Sequence, residues 1–307
     1  MSVIVLGSIN IDLVVGVPRL PGKGETIIGD RYFTVCGGKG ANQAVAVAKL
    51  GIPVHLVGQV GDDDFGRTLL AGLQAAGVET DSITVNTETH TGVASIVVDE
   101  NGDNAIACAG GANSFVGISD VRRLETLLPQ AKVVMLELGV PLEAVIEAAK
   151  VAREKGCTVI LDPAPARADL PAELYPLVDI MTPNEVEASQ LVGFAVEDVK
   201  TAEKAATILR QRGTKTAIVT LGSLGCLCCT DDETFLVPAI PMTVVDTVAA
   251  GDAFNGGLAA ALASGKSLQE AIKWGTVAGA LSVTKHGAQS SLCDREAFMK
   301  LLSKYQS

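Results

Sequence analysis

Aromatic side chains are scarce in this 307-residue sequence: seven Phe, three Tyr and one Trp make up 4% of a chain that is 48% hydrophobic. A core of Ala, Val, Gly and Leu suits helices packed closely on a sheet more than a β-sandwich. Long uncharged apolar runs are also missing, so no segment reads as a bilayer-spanning helix. Basic residues are in deficit, with 24 Lys and Arg against 35 Asp and Glu and a net charge of −11. That balance argues against an extended nucleic-acid or anionic-membrane surface. A small phosphorylated ligand stays open, because local amides or a metal can override the global field. Paired cysteine motifs are lacking as well. Among seven cysteines, Cys226, Cys228 and Cys229 cluster as CLCC, without CxxC spacing or a Cys/His pair nearby. They read as ordinary thiols in a reducing cytosol, with a metal or redox site as the alternative. The opening MSVIVLGSINIDLVV has no basic leader or cleavage pattern and reads as a first strand.

Two nucleotide fingerprints are absent too. No GxGxxG occurs, which removes the main support for a dinucleotide dehydrogenase. The triplet Gly265-Lys266-Ser267 mimics the end of a P-loop, but Ala260 stands where the first glycine is required. It also follows a helical segment, so Gly265 reads as a C-cap.

What is present is an alternation. Residues 3–6, 54–57, 133–136, 158–161, 179–181 and 217–221 read as strands, and 41–50, 65–76, 142–154, 186–192 and 202–212 carry helical spacing. This predicts an α/β fold: a Rossmann-like, mostly parallel sheet with helices on both faces. Two β-rich stretches interrupt it, at about 11–35 and 89–109, the second with a hairpin around Asn101-Gly102. They are expected to form a small β-sheet lid on a single domain spanning residues 1–307. Ligands of such sheets bind beyond the carboxyl ends of the strands, where the informative residues fall.

The stretch DTVAAGDAFNGG, residues 246–257, places acid, small residues and acid where a strand gives way to a helix. With the helix starting near Gly251, the amides of Ala249, Ala250, Gly251 and Asp252 form an anion hole at its positive end. Asp252 is then either an N-cap or a base that takes a proton from an attacking hydroxyl while the amides hold a transferring phosphoryl group. CGGKGANQ, from residue 36, puts Gly37, Gly38 and Gly40 around Lys39 and Asn42. The glycines permit close approach and the two side chains can reach a polar ligand, or the whole is a flexible turn. In TPNEVEA, Asn184 and Glu187 either cap a helix or face a metal–nucleotide. TLGSLG, residues 220–225, can lie against a nucleotide, and Asn10 with Asp12 suits a polyol. GDDDFG at 61–66 reads as a helix start with acidic caps.

Together these residues resemble the ribokinase family of carbohydrate kinases, the pfkB type. The resemblance runs from VLGSINIDLV through GGKGANQAVA, DPAPAR and TPNEVEA to VDTVAAGDAFNGG and KHGAQSS. It implies a cytoplasmic enzyme that moves the γ-phosphoryl of MgATP to a primary hydroxyl of a small sugar, O5 of D-ribose foremost. Deoxyribose, fructose or a nucleoside are alternative acceptors, and a non-catalytic sugar or nucleotide sensor is the alternative from another class. It further implies a homodimer formed through the lid, and no nucleic-acid or membrane partner. By position, Asp252 matches the base and Ala249, Ala250 and Gly251 the anion hole. Asn10, Asp12, Gly38, Lys39, Gly40 and Asn42 match sugar contacts. Asn184, Thr220, Leu221, Gly222, Ser223, Leu224, Gly225, Gly251, Asp252 and Thr276 match nucleotide positions, and Glu187 a position that influences Mg²⁺. Asp246, Val248, Ser282, Lys285, Gly287 and Ser291 match a K⁺ site. Two positions depart from the pattern. Gly139 stands where the family commonly has a sugar-site glutamate, with Glu137 on the same face of the strand, and Thr276 stands where an asparagine is frequent near adenine.

Overall fold

A computed structural model describes residues 1–305. In chain order the elements are β1 (Ser2–Leu6), β2 (Asn10–Gly16), β3 (Arg31–Gly37), α1 (Lys39–Lys49), β4 (Val54–Gly61), α2 (Asp64–Ala75), β5 (Ile83–Asn86), β6 (Gly92–Val98), β7 (Asn104–Ala109), α3 (Ile118–Leu127), β8 (Ala131–Glu137) and α4 (Leu142–Glu154). There follow β9 (Thr158–Asp162), β10 (Ile180–Met181), α5 (Glu185–Val192), α6 (Val199–Gln211), β11 (Thr216–Thr220), β12 (Cys226–Cys229), β13 (Thr234–Val237), α7 (Ala250–Ala263), α8 (Leu268–Ser282) and α9 (Arg295–Tyr305).

Nine strands form the main sheet in the order β13-β12-β11-β10-β9-β8-β1-β4-β5. Its pairs are parallel except β11/β12 and β12/β13 at one edge. Side chains alternate across it. Val3 and Val5 of β1 join the core under α1, α7, α8 and α9, while Ile4 and Leu6 join the core under α3, α4, α5 and α6. Both faces are thus covered, as parallel strands require.

The Ala-rich α7 is apolar nearly all round and lies deep in the first core. A Cβ at Gly256 would come within 2.4 Å of Ala46 Cβ, and one at Gly257 within 2.7 Å of the Trp274 carbonyl oxygen. Small residues therefore let α1 and α8 close on α7, and aromatics would not fit.

The second sheet runs β3-β2-β6-β7. It grows directly from the first, since only residues 7–9 separate β1 from β2. Hairpin β6/β7 turns at Asn101-Gly102, where Gly102 takes φ 87°. The β-rich stretches at 11–35 and 89–109 thus supply this sheet, with β3 extending to Gly37.

Several local readings are resolved. CLCC is β12, an interior strand, and burial pushes the Cys226 and Cys228 thiols up to about 12. Gly265 follows the C-cap of α7 at φ 80°, and Ser267 caps α8 with Glu270 in a reciprocal capping box. Asp63 caps α2 through Gly66 N–H at 2.7 Å. Helix α7 starts at Ala250, one residue before the expected Gly251.

Candidate active site

The carboxyl ends of β1, β8, β9, β10 and β11 converge on one cleft, beside the point where chain order switches between β1 and β8. The glycine-rich turn is shaped by the end of β1. Gly38 takes φ 90°, and a Cβ there would meet Ser8 O at 2.6 Å; one at Gly40 would meet the Gly7 carbonyl carbon at 2.6 Å. These glycines thus admit the chain's own Gly7–Ile9 segment, where the sequence suggested a ligand. Ala41 N–H donates to Ser8 O at 3.0 Å and fixes the turn.

Pinned this way, the first turns of α1 aim Lys39, Asn42 and Gln43 at α7. Asp252 is buried, with 5% of its surface exposed. Its Oδ2 accepts from Asn42 Nδ2 at 2.9 Å and its Oδ1 from Gln43 Nε2 at 3.2 Å. It does not cap its helix: the N-cap is Ala249, which makes no side-chain bond. The capping alternative for Asp252 is therefore corrected. Ala249 adopts φ 59°, the one positive φ outside glycine among the described residues. A left-handed alanine costs on the order of 1–2 kcal/mol, and such strain concentrates at functional sites. Of the expected anion-hole amides, Ala250 N–H already donates to Thr247 O at 3.2 Å.

Gln43 Nε2 also donates to Asp162 Oδ2 at 2.9 Å, and Lys39 Nζ lies 3.9 Å from the same oxygen. Burial alone would lower the Lys39 pKa. The charges of Asp162, Asp252, Glu187 and Glu137 outweigh it and hold the ammonium above its usual range. Burial raises the carboxyl pKa of Asp162, Glu187 and Glu137. A small cavity of about 40 Å³ opens here, lined among others by Lys39, Asp162, Glu187, Gly251 and Asn255. Asn255 Oδ1 and Asn42 Oδ1 are buried without a hydrogen-bond partner among the described residues. Unpaired acceptors are costly, and both suit a donor or a cation brought by a ligand.

On the small-sheet side, Asn113 accepts from Ile9 N–H at 2.9 Å and donates to Ile9 O at 3.1 Å and Asn10 Oδ1 at 2.7 Å. Asn10 therefore keeps its amide donors for a ligand, next to the acceptor Asp12. Burial, then repulsion from Asp252, raises the Asp12 carboxyl to about 6. Glu137 is fully buried and braces backbone: it accepts from Ser8 N–H and from Gly139 N–H, the latter at 2.6 Å. A Cβ at Gly139 would press on Glu137 Oε2 at 2.7 Å and Ser8 Oγ at 2.9 Å. Gly139 and Glu137 therefore belong together, and Glu137 is not a free sugar acceptor.

Toward the nucleotide positions, Asn184 and Glu187 form a capping box at 2.9 and 2.8 Å, as the capping alternative expected, while both line the cavity. Thr220 N–H donates to Pro183 O at 2.9 Å, and Leu221, Gly222, Ser223, Leu224 and Gly225 form the tight turn after β11. Thr276 stands apart from the cavity on α8, where its hydroxyl donates to Ile272 O at 3.0 Å. Asp246 joins two loops, accepting from Val248 N–H at 3.0 Å and Gly287 N–H at 2.9 Å. Ser282 and Ser291 are fully buried nearby in sequence, and Lys285 N–H donates to Ser282 O at 3.3 Å.

Sequence reasoning missed Gln43, Asp162, Asn113 and Asn255. Gln43 adjoins Asn42 and Asp162 opens DPAPAR, so position next to a motif was the available signal. No such signal marked Asn113.

A model of the pfkB family carbohydrate kinases matches residues 1–295. The chain is 41% identical to the ribokinase of Haemophilus influenzae over 298 residues, 97% of each protein. It is 37% identical to the deoxyribokinase of Salmonella typhi over 99% of both. The solved ribokinase of Arabidopsis thaliana, complexed with ribose and ATP, matches with a TM-score of 0.90 at 34% identity, covering 98% of each chain.

Proposed function

The chain belongs to the pfkB family of carbohydrate kinases and is an ATP-dependent sugar phosphotransferase, and from that premise we propose that its acceptor is D-ribose, phosphorylated at O5. The observation that carries the reading is Asp252, a buried carboxylate in the first turn of α7 held from α1 by Asn42 and Gln43. A base so placed sits beside the positive end of a helix, where phosphoryl charge is stabilised.

In this reading, Asn10 donates to the sugar and Asp12 accepts from it, with Gly38, Lys39, Gly40 and Asn42 completing the contacts. The unpaired Asn42 Oδ1 gives a sugar hydroxyl its acceptor. Asp252 takes the proton from O5–H as O5 bonds to the γ-phosphorus and the bond to ADP breaks. The amides of Ala249, Ala250, Gly251 and Asp252 face the transferring group, Ala250 exchanging its Thr247 bond for it. Asn184, the turn from Thr220 to Gly225, and Thr276 form the nucleotide side.

The residues fit both expected cations. Four carboxylates surround one lysine, and Asn255 Oδ1 is an orphaned acceptor. Glu187 and Asp162, which line the cavity, would hold Mg²⁺ brought with the nucleotide. The chemistry such an ion would supply is neutralisation of phosphate charge. Asp246 joins the loops carrying Val248 and Lys285–Gly287, an oxygen-rich setting with Ser282 and Ser291 that suits K⁺. K⁺ there would steady the turn that shapes the anion hole.

We further assign one kinase domain in which the small sheet acts as a lid and as the dimer surface. Exposed Tyr32, Phe33 and Ile106 on that sheet support the interface, and sedimentation as a monomer would contradict it. Seven unpaired cysteines support a reducing, cytosolic setting. No described helix is long and apolar enough to cross a membrane.

A second reading, 2-deoxyribose as acceptor, is supported by the Salmonella relative and by Gly139. Asp252→Asn tests the mechanism in either case. Turnover, followed as ADP released, is expected to fall by roughly two to four orders of magnitude. Near wild-type turnover would remove Asp252 from the chemistry.

A further inference from the structure

Gln43 has no part in the sugar or nucleotide contacts just described, yet it is 1% exposed and lies between two carboxylates. Carboxylate oxygens only accept, so the amide must turn its nitrogen to both Asp162 and Asp252. Each N–H is then spent, at 2.9 Å on Asp162 Oδ2 and 3.2 Å on Asp252 Oδ1. Asp162 is itself fixed: it ends strand β9, and Lys39 Nζ lies 3.9 Å from the oxygen that Gln43 uses. Asn42 holds the other oxygen of Asp252 at 2.9 Å. Rotation of the Asp252 carboxylate is therefore blocked from both sides, by neighbours on one turn of α1.

We propose that Gln43 is a positioning residue, which ties the base Asp252 to Asp162 and so fixes the carboxylate for the acceptor hydroxyl. The proposal rests on the reading of Asp252 as the base. Asn42 and Gln43 divide the work: Asn42 keeps a free Oδ1 for the ligand, whereas both donors of Gln43 are turned inward. Without Gln43, Asp252 Oδ1 loses its donor, and two buried carboxylates face each other with nothing between them. A base that is free to rotate loses the alignment on which proton transfer depends.

The test compares Gln43→Met, Asp252→Asn and the double variant, in a full steady-state analysis with ribose and MgATP. Methionine keeps the length and bulk of the side chain and removes both donors. Gln43→Met is expected to lower kcat roughly 10- to 100-fold, with both KM values within about threefold of wild type. In the Asp252→Asn background it should cost nothing further, because its effect passes through the base. Gln43→Asn is one methylene shorter and keeps the donors; it should fall between the two and carries the comparison if the Met variant does not fold. A kcat within about twofold of wild type, a loss lying in KM, or losses that multiply in the double variant would overturn the proposal. If Asp252→Asn alone keeps its turnover, the base reading fails first, and the two failures are told apart.

Discussion

Asp12 combines a buried carboxyl with a neighbour of the same charge, and both act in one direction. Its pKa rises from an ordinary 3.8 to about 6, first through burial and then through Asp252. Between these values the folded protein holds a proton that the unfolded chain has released. Stability from this residue therefore falls as pH rises from about 4 to 6, by at most about 3 kcal/mol. Asp12→Asn should gain stability in urea unfolding at pH 7.5 and gain little at pH 4. A gain that is equal at both would contradict the assignment. In the wild type, kcat/KM for the sugar should fall below pH about 6, as the acceptor is protonated, and the variant should lack that limb.

Lys39, Asn42 and Asp252 were legible because each sits at a helix start among small residues, and Asn10 and Asp12 because two polar side chains share one side of an otherwise apolar strand. Gln43 was not, since one residue further along α1 it resembles any buried helical position. Asn113 lies 103 residues from Asn10, and the pairing of β6 with β2 and with β7 in the second sheet brings them together. Glu137 was legible as a face of a strand. Its destination, two backbone amides, depends on how closely Ser8 approaches.

At the level of elements, the junction of β1 with α1 decides the site. Gly38 is left-handed and its missing Cβ is ringed by Ser8 O, Asn10 N and Ile9 Cα at 2.6 to 2.8 Å. All three are backbone atoms and cannot rotate away. Gly38→Ala should cost about 1–3 kcal/mol of stability and weaken sugar binding by moving Asn10 and Lys39. An unfolding midpoint equal to wild type would show that the turn is not so constrained. The alternation of strands and helices was readable because 3–6, 133–136 and 142–154 follow the periods of 2 and 3.6 cleanly. Helix α3, ISDVRRLETL, was not readable, since only its Val121 and Leu124 are buried apolar residues. Hairpin β12/β13 escaped because CLCC is short and ambiguous by period. Helix α8 carries Gly and Thr on its packed face, where a Cβ added at Gly275 would come within 2.8 Å of the Phe254 carbonyl oxygen.

Across the whole molecule, a protein of net charge −11 must accept a highly anionic nucleotide. Lys39 alone faces Glu137, Asp162, Glu187 and Asp252, so the cleft needs cations to take up phosphate. Asp252, in the first turn of α7, is held by Asn42 and Gln43 of α1, and its charge adds to burial in raising the Asp12 carboxyl of the second sheet, so both sheets reach the same cleft. In the proposed reading the main sheet presents the phosphoryl donor, and the second sheet presents the acceptor through Asn10 and Asp12 of β2. The most direct test is ATP-dependent phosphorylation of D-ribose, 2-deoxyribose, fructose and a nucleoside in Mg²⁺, with K⁺ and with Na⁺ in its place. Preference for ribose, with ribose 5-phosphate as product and a lower rate in Na⁺, is the predicted result. ADP release with none of these acceptors, or a stronger preference for an acceptor other than ribose, would contradict it.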